Sequence, residues 1–289
     1  MINAIKIELS KALKNKLFFG AAAIGCIITL LNVFEFVGMA YKETAAVTGF
    51  EAELGLKYNT ANYVSTPFGR WIGMEGFSLG SSILYFIFPL LIAIPYCWSY
   101  CSERKKGYEK NFVIRSGKQN YYFAKYVAKF ISGGLTMVIP LAFNFLVLAL
   151  FLPLNPANVS DNIYYGIFPT HLFSTLFYSA PYTYVLCMCI VSFIFCGLLA
   201  CVSYSVSIFI KNQLVAVFFP FAMLVVFQYV QNLLADTFPA IFYNQFNPMY
   251  FLNGQTAATT LGNLLIEALI LLAVTLGIVF IRGRKNEIY

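Results

Sequence analysis

Long apolar runs alternate with short polar segments along the whole chain. Six runs, at about 17–39, 78–100, 127–152, 182–209, 214–234 and 261–281, reach the roughly 20 apolar residues that a helix needs to cross a bilayer. They predict an all-α, polytopic membrane protein with six transmembrane helices. Stretches such as LIEALILLAVTLGIVFI (265–281) show no polar alternation, which argues against the alternating strands of a membrane barrel. The fourth run is long enough to tilt or to extend past the bilayer. The apolar run that follows MINAIKIELSKALKNK is of spanning length and has no small-x-small cleavage site at its end. It reads as a retained anchor, not a removed signal peptide.

Between the runs, the polar segments are punctuated. In the first long loop, about 40–77, TAAVTGFEAELGLKY predicts a short helix. PFGRWIGMEG then leads back to the membrane, with Trp71 expected at the interface, where tryptophan is favoured. Pro153 and Pro156 end the third span. The apolar stretch between Pro169 and Pro181 is too short to span and predicts an interfacial helix. The aromatic segment at about 235–257, with Pro239 and Pro248, predicts a re-entrant or interfacial piece. Neither a linker nor a composition break divides the chain, so residues 1–289 read as one six-span domain.

Composition agrees with a membrane class. Hydrophobic residues make up 60% of the chain and charged ones 11%, against about a quarter charged in a soluble domain. The charge is placed unevenly. Lys6, Lys11, Lys14 and Lys16 precede the first span, eight basic residues fall in 102–129, Lys211 follows the fourth span, and Arg282, Arg284 and Lys285 follow the sixth. Only Lys42, Lys57 and Arg70 lie in the alternate loops. The positive-inside rule then puts both termini in the cytoplasm. The loops around Glu43, Glu51, Glu53, Asp161 and Asp236 fall outside.

Candidate chemistry is sparse. The seven cysteines lie in or beside spans and read as small packing groups. Cys97 and Cys101 share a helix face, but no His, Asp or Glu stands beside them, so no metal site is expected. GFSLG (76–80) matches a hydrolase elbow in letters alone, since it opens a membrane helix and the single histidine, His171, is remote. His171 itself reads as interfacial. No phosphate-loop motif is present, so the chain has no ATP site of its own. The basic loop is explained by topology and contact with lipid, without nucleic acid. Asn32, Asn144, Gln228 and Gln231 predict hydrogen bonds between helices. Glu35 reads as a solvated group at the outer end of the first span. Glu267 lies deeper, in the last span. A carboxylate there faces a bundle interior or cavity. It is either part of a translocation path or a hydrogen-bonded packing group.

The stretch SERKKGYEKNFVIRSGKQNYYFAKYVAK (102–129) offers more. An acid (Glu103), a basic cluster (Lys105, Lys106) and a glycine (Gly107) follow the second span. A short amphipathic piece at about 109–115 comes next, and then a basic–aromatic lead into the third span. In this order the chain resembles the permease subunit of type-2 ABC exporters. INAIKIELSKALKNK resembles that family's cytoplasmic amphipathic helix, SIFIKNQLVAVF (207–218) its tight turn between spans four and five, and FNPMYFLNG (246–254) its outer segment before the last span. Tyr108 and the Arg115-Ser116-Gly117 triplet depart from the family pattern, which has a small residue and a proline there.

The resemblance implies two permease subunits, identical or paralogous, working with two ATPase subunits that bind ATP and magnesium. It makes Glu103, Gly107, Phe112, Val113 and Arg115 the coupling residues, with Phe112 and Val113 as the apolar knob on a coupling helix. It implies an amphipathic cargo and a bacterial cytoplasmic membrane. The alternative from the residues is an ion-coupled secondary transporter, which needs paired ionisable groups in the spans. Glu267 stands almost alone there.

Overall fold

The computed structural model describes residues 1–55, 65–105, 107, 112–114, 117–157, 167–210, 212–234, 245–254 and 259–285. Every named element among them is a helix: α1 (Ile2–Leu13), α2 (Lys16–Leu54), α3 (Pro67–Arg70), α4 (Leu79–Lys105), α5 (Lys118–Phe151), α6 (Ser174–Ser179), α7 (Pro181–Phe209), α8 (Gln213–Leu234), α9 (Pro248–Phe251) and α10 (Leu261–Lys285). Six of them, α2, α4, α5, α7, α8 and α10, are long and apolar enough to cross a membrane. The architecture is compatible with a multi-pass membrane protein.

Two helices are longer than the apolar pattern predicts. The stretch TAAVTGFEAEL is not a separate helix but the far end of α2, which runs unbroken through Leu54. Alanine and glutamate favour helix whether or not they are buried, so the helix outlasts its apolar run. Its 39 residues make a rod of about 58 Å, nearly twice the roughly 30 Å hydrocarbon core. Likewise α5 begins at Lys118, ahead of the apolar boundary at about 127. The basic–aromatic lead is therefore its first turns.

At the centre α5 packs on α7 at very close range. A Cβ at Gly133 would sit 2.3 Å from that of Ala200, and one at Gly197 would sit 2.8 Å from the Phe130 carbonyl oxygen. Glycine lets the two backbones meet there. The returning segment 65–78 dips into the same core, and its Phe68, Trp71, Ile72 and Met74 are buried. Trp71, expected at the membrane interface, is turned inward among the helices. Its ring has no exposure, and Nε1–H donates to the Leu141 carbonyl at 2.9 Å inside the bundle. A buried indole is favourable once its one donor is paired. Between Pro169 and Pro181 the chain forms the short helix α6. Of the 235–257 segment, the described part is a turn into α9, where Asn247 caps the helix by accepting from the Met249 N–H at 3.0 Å.

Candidate functional site

α1 lies against α5 through a narrow stripe, with Ala4, Glu8 and Ala12 as its buried residues. At a spacing of four they share one face. The two alanines let the helix approach closely, and the residue between them is a carboxylate. Burying a charge costs several kcal/mol unless it is paired and hydrogen-bonded. The pairing comes from α4, α5 and α1 itself.

Lys125, on the second turn of α5, has no exposed side-chain surface. Its Nζ lies 3.1 Å from Glu8 Oε2 and 2.6 Å from Glu103 Oε2 at the end of α4. Lys11 closes the figure, with Nζ 3.3 Å from Glu8 Oε1 and 3.6 Å from Glu103 Oε1. The Tyr96 hydroxyl of α4 donates to Glu8 Oε2. Lys125 also stands over the rings of Tyr96 and Tyr121, 5.0 and 5.1 Å from their centroids, a favourable placement for a desolvated cation. Two carboxylates and two ammoniums thus alternate around a neutral square that joins α1, α4 and α5. Burial alone would push the Glu8 carboxyl up. The Lys125 ammonium, the Tyr96 hydrogen bond and Lys11 outweigh it and hold the group below the ordinary carboxylate value.

A proline supplies the next layer. Pro95 lies inside α4, where its ring disturbs the preceding turn and removes one helical hydrogen bond. Lys129, one turn on from Lys125 and also fully buried, donates to the Ile92 and Ala93 carbonyls at 3.3 and 2.5 Å. Asn15, in the junction between α1 and α2, donates to the Pro95 carbonyl at 2.8 Å. The turn of α4 around Pro95 is therefore held both from α5 and from the junction of α1 and α2.

Of the residues singled out for coupling, Glu103 and Phe112 meet this square. Glu103 is a member of it. Gly107 has φ +72°, the left-handed conformation that glycine adopts freely. Residues 112–114 are helical. Phe112 and Val113 are half-buried and turn toward the chain's own Tyr121, Tyr122 and Tyr204. The Phe112 ring lies 5.3 Å from that of Tyr121 and 5.9 Å from Lys11 Nζ. The side chain of this segment that faces outward is Ile114, at 82% exposure. Arg115 lies outside the described residues.

The sequence pattern did not single out Glu8, Tyr96 or Lys125. Lys125 and Lys129 read as part of a basic stretch that sets topology and meets lipid, and both are buried. The one available signal was the Ala4–Glu8–Ala12 stripe, a carboxylate on an otherwise small-residue face.

Glu267 is half-buried on α10, away from any ion pair among the described residues, and its Oε2 is buried there without a hydrogen-bond partner. Asn32 and Asn144 do bond across helices, with Asn144 Nδ2 donating to Asn32 Oδ1 at 2.9 Å. Gln228 donates to the Tyr250 hydroxyl at 2.8 Å, and Gln231 accepts from Asn247 at the same distance. His171 stacks on Phe168, and burial holds its imidazole below its ordinary value. Among the described residues no three His, Cys, Asp or Glu side chains cluster as metal ligands would. No protein-family model matches the chain, and no curated protein matches it.

Proposed function

We propose that the chain is the membrane permease of a type-2 ABC exporter, carrying an amphipathic substrate out of a bacterial cell. The observation that supports this most is the ion square. It binds the N-terminal helix, the end of α4 and the start of α5 into one block, beside Gly107 and the 112–114 turn. An ATPase pressing on that turn would move two spanning helices and α1 together, because the square transmits force through short contacts. Ile114 is the apolar side chain such a partner would meet first. On this reading ATP and magnesium belong to two partner ATPase subunits, and a second permease, identical or paralogous, completes the path. The crowding of basic residues at 6–16, in 102–129, at 211 and at 282–285 supports cytoplasmic termini, and with them a place in the cytoplasmic membrane.

The second reading, an ion-coupled transporter, rests on the unpartnered Oε2 of Glu267. A lone carboxylate in a spanning helix is the kind of group a proton pathway uses. Purification of the tagged chain from its own membranes in mild detergent, followed by mass spectrometry, separates the two. The exporter reading expects an ATPase with a phosphate loop in the complex. Purification of the chain without one, together with proton-driven uptake in vesicles that Glu267→Gln abolishes, would replace it.

A further inference from the structure

A cavity of about 510 Å³ opens at the foot of the projecting half of α2. Phe151, on its wall, stands 26 residues along α5 from Lys125, or about 39 Å at the helical rise. The cavity is thus at the opposite end of the bundle from the ion square. Its size falls in the range of small-molecule sites, about 300–1,000 Å³.

The lining mixes apolar side chains, including Tyr41 and Phe151, with the polar Glu43, Thr44, Ser65 and Asn155. The state of the polar groups decides what they can hold. The Ser65 hydroxyl gives its proton to Glu43 Oε2 at 2.7 Å. The Thr44 hydroxyl gives its proton to the Ala40 carbonyl at 2.8 Å. A hydroxyl has one proton and two lone pairs, so each can offer a ligand only lone pairs. Glu43 is acceptor-only when ionised. Its salt bridge to Arg70 is long, at 3.7 Å, and the carboxylate side chain is 46% exposed. Glu43, Thr44 and Ser65 therefore offer acceptors to the cavity, one of them charged, alongside two aromatic rings and the Asn155 amide.

We propose that this cavity is a binding site for an amphipathic amine, with the ammonium on Glu43, Thr44 and Ser65 and the apolar body between Tyr41 and Phe151. An ammonium carries three donors and no acceptor, which is the complement of what Glu43, Thr44 and Ser65 offer. The site does not depend on the exporter reading, because nothing in it involves an ATPase.

The test is equilibrium binding of dansylcadaverine, an aromatic body with a primary amine, to the purified chain in zwitterionic nanodiscs, with empty nanodiscs as the partition control. Saturable binding to the wild-type chain is expected. Glu43→Gln should weaken it about tenfold or more, through loss of a charge-assisted hydrogen bond. Thr44→Trp should abolish it by filling the cavity. Thr44 is exposed, so the bundle tolerates the change, and Ala40→Phe fills the same space from the next turn as a second variant. Both variants must elute from size exclusion as the wild type does. The N-acetylated probe, which lacks the charge, should bind no better than to empty nanodiscs. Equal binding of the acetylated probe, unchanged binding to both cavity-filling variants, or no saturable binding to the wild type would each overturn the proposal.

Discussion

Two buried polar clusters fasten this bundle, and they are built from different chemistry. One is the ion square of Glu8, Lys11, Glu103 and Lys125. The other lies on α5 about 28 Å away by helical rise and consists of neutral amides around one carboxylate. There Asn144 Nδ2 donates to Asn32 Oδ1 and to the Thr29 carbonyl at 2.9 and 3.0 Å, while Asn144 Oδ1 accepts the Ile72 N–H at 3.1 Å. Asn32 in turn donates to Ser78 Oγ at 3.0 Å, and Glu75 accepts the Ser78 N–H. The amide cluster joins helices that are already packed over long apolar faces, so it sets their register. The ion square holds α1, whose buried apolar contribution is Ala4 and Ala12. Two alanine methyls contribute little, at about 0.8 kcal/mol per buried carbon. Charge therefore decides whether α1 stays docked, and it decides far less about whether the bundle stays folded.

The largest expected effect is Lys125→Ala. It removes the fully buried cation between Glu8 and the partly buried Glu103 and leaves them only Lys11, a loss of about 3–5 kcal/mol. The expected result is release of α1 with the bundle intact. A cysteine at Ala12, which has no exposed surface, should then label rapidly with maleimide in a cysteine-free background while the thermal transition of the spans shifts little. Coupled loss of both would show that the ion square supports the whole fold.

Asn144→Ala sharpens the comparison from the other side. It orphans the Ile72 N–H and the Asn32 carbonyl, at a cost of roughly 2–3 kcal/mol. The bundle transition should fall, and Ala12→Cys should stay protected. Rapid labelling at position 12 in this variant would mean the two clusters are not independent.

Acid separates them more gently. The Glu8 carboxyl is held below its ordinary value of 4.5 in the docked state. A depressed carboxyl stabilises the docked state fully above the undocked value, and that contribution is lost as pH falls through the lower, docked one. Docking should be constant from about pH 8 to 5.5 and weaken below about 4.5. Spin labels at Lys14→Cys and Gln119→Cys report the distance. Release beginning near neutral pH would contradict the assigned pairing.

Lys11→Gln should have the smallest effect, within about 1 kcal/mol, because its side chain is 32% exposed and its bond to Glu103 is long. Labelling at position 12 should stay near the wild-type rate.

Much of this was legible along the chain. The apolar runs located all six long helices, because hydrophobic length is a local property. Gly107 was legible for the same reason, as a glycine in a charged turn. The ends of α2 and α5 were not, since both helices continue through polar residues that apolar counting stops at. The ion square was hidden by distance: Glu8 and Lys125 are 117 residues apart. Within SERKKGYEKNFVIRSGKQNYYFAKYVAK nothing local distinguishes a lysine that goes inward from one that meets lipid. Phe112 shows the converse. It stands in an amphipathic piece that reads as outward-facing, and the tyrosines of α5 turn it in.

On the exporter reading proposed above, an ATPase partner would move the spans through the ion square. The most direct test of that reading is quantitative recovery of an ABC-type ATPase with the tagged chain, comparing wild type with Lys125→Ala at equal permease yield. The account predicts stoichiometric recovery with wild type and at least about tenfold less with the variant, equivalent to about 1.4 kcal/mol or more of lost docking. Equal recovery with both chains, or no ATPase with either, would contradict it.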